Sequence, residues 1–200
     1  MMRYFYLEVR GELKRLDGEP LVEPYQCPEC DRIVRLGGTN LKVRFLNPPP
    51  HSDAVGVLFG PEWAASKALS RLIQSKAPLA ARYVPVRGRD DEALPYDQVI
   101  VRDRVRIGRG SIRGGTECDA CGGHVQLTLN PIFLKPIDSD GPMIAGVLES
   151  PFICVVREDL ADAIVSAGLD VTLVPTLFDG ESLPDPGPTF PGHDWSDLKE

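Results

Sequence analysis

Four of the five cysteines stand in two Cys-x-x-Cys pairs, Cys27-Pro28-Glu29-Cys30 and Cys118-Asp119-Ala120-Cys121. A Cys-x-x-Cys turn holds two sulfurs a few ångströms apart and facing one point. Two such turns brought together make the tetrahedral sulfur cage that a structural Zn²⁺ takes. Gly122 and Gly123 follow the second pair and suit the positive φ that a knuckle turn often requires. The pairs lie 87 residues apart, so a shared metal would join distant parts of the chain rather than organise one small finger.

Two other chemistries use the same spacing. Disulfides belong mainly to exported proteins, and the run Met1–Glu8 has no apolar core of signal-peptide length. A thioredoxin-type redox pair sits between a strand and the start of a helix. Here Pro24, Glu29 and Asp31 surround the first pair, and no strong helical period follows either pair. The expectation is one structural Zn²⁺ held by Cys27, Cys30, Cys118 and Cys121 in a reduced, cytoplasmic setting. His124, three residues after Cys121, is the alternative ligand to a thiolate. Cys154 lies in the apolar run Phe152-Ile153-Cys154-Val155-Val156 and reads as a buried core thiol.

Other reactive constellations are absent from the sequence. The three histidines, His51, His124 and His193, do not fall in a His-Glu-x-x-His pattern, and there is no Gly-x-Ser-x-Gly elbow. The run Gly108–Gly115 has Arg113 in place of the third glycine of a dinucleotide loop and lacks a P-loop ending. It reads as a flexible approach to the second knuckle. A closed four-ligand zinc has no open position for water, so the chain is read as a binding protein rather than an enzyme. Arg102, Arg104 and Arg106 alternate with Val101, Asp103, Val105 and Ile107. In one continuous strand they would share a face, either as its wet side or as a grip for phosphates.

The elements that must position the cysteines are short. The 19 prolines and 19 glycines in 200 residues predict many loops and few long helices. Residues 2–10 alternate as a strand, with Phe5, Leu7 and Val9 toward the core and Tyr4 and Tyr6 on the other face. Residues 11–26 read as a loop or loose hairpin, and 32–36 as a hairpin partner of 41–46. A helix is expected from Pro61 to Lys76, with Trp63, Leu69, Leu72 and Ile73 inward. Strands follow near 82–86, 98–107 and 124–129. A strand over 152–156, a helix over 158–167 capped by Gly168, and a strand over 171–178 close the ordered part. Leu160, Ala163, Ile164 and Ala167 form its inward stripe. No internal repeat is visible beyond the two cysteine pairs.

The fold class expected is therefore α+β: a mixed or antiparallel sheet with a few short helices, and two knuckle turns converging on one metal. Residues 1–178 form the single zinc-stabilised domain. Residues 179–200 hold six acids, one lysine and four prolines and read as a mobile acidic tail. No stretch approaches the 18 apolar residues of a membrane span. The formal charge is −7, which disfavours general nucleic-acid binding and favours basic partners.

Two widely spaced Cys-x-x-Cys motifs, the second completed as Cys118-Asp119-Ala120-Cys121-Gly122, stand in an acidic chain. An aromatic strand opens it and a strand-helix-strand unit comes late. This pattern resembles the myxobacterial double-CxxCG-motif family of immunity proteins to swarm-inhibition polymorphic toxins. Over residues 1–178 the similarity is one of element order, and Asp31 departs from it by standing where a glycine would follow Cys30. The resemblance implies neutralisation of a protein toxin by direct binding in the cytoplasm. A zinc-ribbon-like nucleic-acid module using Arg102, Arg104 and Arg106 is the competing reading.

Overall fold

The structure is a computed structural model that describes residues 2–16, 25–30, 33–35, 41–45, 52–57, 62–121, 126–127 and 131–182. The elements run β1 (Tyr4–Glu8), β2 (Arg10–Arg15), β3 (Tyr25–Gln26), β4 (Ile33–Arg35), β5 (Val43–Phe45), β6 (Ala54–Val57), β7 (Trp63–Ser66), α1 (Lys67–Lys76) and β8 (Ala81–Arg87). They continue with β9 (Ala93–Val101), β10 (Arg104–Val105), a 3-10 turn (Arg109–Ser111), β11 (Ile112–Gly114), β12 (Gln126–Leu127), β13 (Phe133–Leu134), β14 (Ile144–Val147), β15 (Ser150–Arg157), α2 (Glu158–Ser166), β16 (Thr172–Pro175) and β17 (Leu177–Phe178). The fold is α+β, mostly antiparallel, with two short helices.

Short strands leave polar edges, and this chain removes most of them by closing its sheets. The first sheet has the order β5-β2-β6-β7-β9-β8. Lys42, just before β5, bridges to Arg87 at the end of β8, and the Arg87 N–H donates to the Leu41 carbonyl at 2.9 Å. The ring is thus complete. Its interior is apolar at one position or more in every strand: Leu13, Val43, Val55, Ala64, Val86 and Tyr96 are buried together.

The second sheet, β10-β14-β15-β1-β16, closes in the same way. Ile107 bridges to Leu134 of β13, and β13 pairs in parallel with β17. β16 and β17 are one chain interrupted at Thr176, whose N–H and hydroxyl both donate to the Tyr4 carbonyl. Tyr4, Ile107, Leu134, Ala145, Val155 and Phe178 fill this second barrel.

A third core lies between the barrels and holds both helices. Phe5, Leu7, Trp63, Leu69, Ile73, Val99, Leu160 and Ile164 meet there. Each fully buried Leu or Ile contributes about 1.5–3 kcal/mol by leaving water. β1 therefore has two buried faces. Phe5 and Leu7 face the shared core as the alternation predicts, while Tyr4, assigned to the opposite face, fills the second barrel at 1% exposure.

Several expected elements are corrected by pairing between distant segments. Residues 10–15 are a strand rather than a loop, because β2 sits between β5 and β6 and needs only Leu13 to face inward. Residues 33–35 do not pair with 43–45. β4 pairs with β3, and β5 pairs with β2. The first helix starts at Lys67. Trp63–Ser66 is a strand held between β6 and β9, and Ser66 caps the helix by accepting the Leu69 N–H at 3.2 Å. Ser70 is buried along with Leu69 and Ile73. The second helix matches its expected span, with Gly168 at φ +66° beyond its end, though Ala167 is exposed. The absence of a repeat is also corrected, since the second half of the chain retraces the strand order and closure of the first.

At the entry to α2 the Arg157 guanidinium forks onto the Asp159 carboxylate at 2.9 and 2.7 Å. This hydrogen-bonded partner holds the Asp159 carboxyl below its ordinary value. A carboxyl with a lowered folded pKa stabilises above its unfolded value, near 4, and the contribution is lost as pH falls through the folded value. Asp159 is 44% exposed, so solvent screens the pair. Asp159→Asn is expected to cost less than about 1 kcal/mol at pH 7 and less again at pH 2. Urea melts at the two pH values check this. An equal cost at both would show that the charge on Asp159 carries none of the effect.

Candidate metal centre

Each cysteine pair lies in the connection of its own two-stranded hairpin. β3 and β4 pair through Tyr25↔Arg35 and Gln26↔Ile33, and Cys27 and Cys30 lie between them. β11 and β12 pair through Ile112↔Leu127 and Gly114↔Gln126, and Cys118 and Cys121 lie between them. Both ladders shift register once. A bulge of this kind turns a hairpin end sharply.

The two hairpins bring all four sulfurs within 4.8 Å of one another. Cys27 Sγ lies 3.6 Å from Cys118 Sγ, and Cys30 Sγ lies 3.7 Å from Cys121 Sγ. A tetrahedral ion with metal–sulfur bonds of about 2.3 Å requires sulfur separations of about 3.8 Å. The cluster is therefore already close to the size of a metal cage. The sulfurs are free thiols and stand far beyond the ~2.05 Å of a disulfide. All four residues named from sequence meet here. His124 lies outside the described residues.

The first knuckle prepares its own ligand. The Glu29 backbone N–H, then that of Cys30, donates to Cys27, and the Cys30 and Cys118 side chains add to this. These donors outweigh desolvation and lower the Cys27 pKa to about 7. A thiolate is the ligand form, so about half of Cys27 is ready at neutral pH. Burial grades across the cluster. Cys27 is 1% exposed, Cys118 and Cys121 are half-buried, and Cys30 is open to solvent. The Glu29 carboxylate stands 3.9 Å from Cys118 Sγ. Sequence reasoning placed Glu29 only as an acid flanking the pair.

The chain leading into the second knuckle is pinned. The Gly108 N–H donates to the Phe133 carbonyl at 2.7 Å. The Asp179 carboxylate accepts the Arg109 N–H at 2.9 Å and the Gly110 N–H at 3.3 Å. A side chain at Gly108 would meet Asp179, and one at Gly110 would meet the Phe133 ring. The run thus uses glycine for close packing, not for looseness. Asp179 and Glu181, the first acids of the expected tail, both hydrogen-bond to the domain. Residues 183–200 lie outside the described residues.

The arginine stripe is not one strand. β9 ends at Val101 in the first barrel, and β10 begins at Arg104 in the second. Arg104 lies over Gly146, where a Cβ would collide with its guanidinium. Arg106 forms an ion pair with the buried Glu149 at 3.7 Å, and Glu149 also accepts the Ile107 N–H. Two of the three arginines thus have contacts within the second barrel.

Among the described residues no helix is long and apolar enough to cross a membrane. No protein-family model matches the chain, and no curated protein matches it.

Proposed function

We propose that this protein acts by binding, as an immunity protein that neutralises a cognate toxin in the cytoplasm. A structural Zn²⁺ on Cys27, Cys30, Cys118 and Cys121 holds its shape. The observation that carries the reading is the meeting of two remote Cys-x-x-Cys motifs in one closed four-sulfur cluster. That constellation is what the double-CxxCG resemblance rests on. All-sulfur ligation selects soft or borderline ions, and tetrahedral four-sulfur geometry suits Zn²⁺. Four thiolates fill the coordination sphere, so the ion organises structure and offers no site for a substrate.

A rigid complementary surface is what an inhibitor needs, because preorganisation cuts the entropic cost of association. The formal charge of −7 suits a toxin with a basic face, as basic nucleases have. The nucleic-acid reading draws less support, since Arg104 and Arg106 are engaged within the fold. Co-expression with the toxin encoded beside this gene is the test. Survival is expected, with association slowing as salt rises and the change mostly in on-rate. Continued killing in cells that hold soluble, metal-loaded protein would reject immunity to that toxin.

A further inference from the structure

The two halves of the chain match element by element. Cys118 and Cys121 each follow their counterparts by 91 positions. The contacts repeat at nearly the same interval. Ser66 pairs with Tyr96 in the first barrel, and their counterparts Arg157 and Tyr4 pair in the second. Tyr96 OH donates to the Ser52 carbonyl at 3.1 Å, and Tyr4 OH to the Pro142 carbonyl at 3.0 Å. β2 runs parallel to β6 as β10 does to β14. The Lys42↔Arg87 closure returns as Phe133↔Leu177, again parallel.

The matching strands are exchanged between barrels. β1 belongs by sequence to the first half, yet it lies between β15 and β16 of the second. β9 opens the second half and lies between β7 and β8 of the first. Each barrel is thus completed by the opening strand of the other half. The metal cluster obeys the same relation, because its two short sulfur contacts join counterpart residues at 3.6 and 3.7 Å. Those are the contacts of a centre lying on a two-fold axis.

We infer that the chain is a strand-exchanged dimer of one metal-sharing unit, fused in tandem. The surface that each half offers is built for a second unit of about 90 residues carrying one Cys-x-x-Cys motif. The halves have since become complementary rather than identical. α1 carries Lys67, Arg71 and Lys76 and no acid, while α2 carries Glu158, Asp159 and Asp162 and no base. Lys67 corresponds to Glu158 and Arg71 to Asp162. The two helices pack against each other, so a half paired with its own copy would place two helices of like net charge side by side. Such an arrangement favours pairing of unlike halves.

The test cuts the full chain at the boundary. A protease site placed in the exposed Arg89–Asp91 turn, between β8 and β9, separates the halves after folding. The nicked protein is expected to remain one particle. After denaturation in chelator, the separated fragments, mixed with Zn²⁺, should re-form a 1:1 complex holding one ion per pair. Each fragment alone should not reproduce that complex. The same site placed in the turn at Ser139–Asp140 cuts within the second half, and fragments from that nick should not reassemble. Equal recovery from both nicks, failure of the boundary fragments to reassemble, or independent folding of either as a metal-binding monomer would overturn the inference. Survival in the toxin assay plays no part in these readouts.

Discussion

Cys118→Ser is expected to lower the stability of the protein by about 4 kcal/mol, in the range where loss of a metal site falls. In a chain of 200 residues each kcal/mol moves the melting temperature by about 2–4 °C, so the midpoint should drop by about 8–16 °C. The loss is large because the ion joins two hairpins remote in sequence, and binding free energy at such a site is folding free energy. Cys27→Ser should cost about as much, since the two residues are counterparts in equivalent knuckles and face each other at 3.6 Å. Cys154→Ala, in the core but outside the cluster, should leave metal content at one ion per chain. Chelation of the unaltered protein should reproduce the Cys118→Ser melt. A melt that stays unchanged after the metal is stripped would show the cross-link to be dispensable.

The chemistry of this site was legible in sequence and its surroundings were not. Cysteine spacing is local, and only a few turns hold two sulfurs on one point. The α2 unit was legible for a similar reason. Leu160 and Ile164 are a turn apart, and Gly168 follows the helix end with positive φ. α1 failed at its start, where Trp63 and Ala65 imitate a helix approach while belonging to a strand buried on both faces. No periodicity reports which remote strand will claim such a segment. Likewise β2 shows one apolar position, Leu13, and only its neighbours make it a strand.

The repeat stayed hidden because its halves agree mainly where cores demand apolar residues, and such agreement is common to all strands. The surfaces that would betray common origin have diverged, with Lys67 against Glu158 and Arg71 against Asp162. Strand exchange hides it further. β1 and β2 are consecutive in the chain yet serve different barrels, and the second barrel takes its β1 strand from the far end of the sequence. The arginine run showed the same limit. Alternation implied one strand, whereas the chain passes from one barrel to the other at Arg102–Asp103. The register of Gly146 with Arg104 then places the guanidinium over the glycine.

Thiol labelling should divide the five cysteines sharply into four and one. Burial pushes the Cys154 thiol up to about 12 from 9.0, and the Arg104 charge opposes this only in part. The nucleophile is the thiolate, so a three-unit rise lowers the reactive fraction near neutral pH about a thousandfold, before any loss of access is counted. In metal-loaded protein the four cluster thiols are expected to react slowly, because the ion holds their lone pairs. Added chelator should release them as one fast group of four, with Cys154 still silent until the domain unfolds. The sign of the pH dependence follows from the same shift. A thiol whose folded pKa is raised stabilises fully below pH 9 and loses that contribution as pH rises through 12. Tyr83, also raised to about 12 chiefly by burial, acts in the same direction. Cys154→Ala should therefore remove the slow thiol and flatten part of the alkaline loss of stability, leaving the Tyr83 share. Five thiols reacting together in chelator at neutral pH would show that the core between the barrels opens when the metal leaves. The ion would then hold the two barrels together as well as the two knuckles.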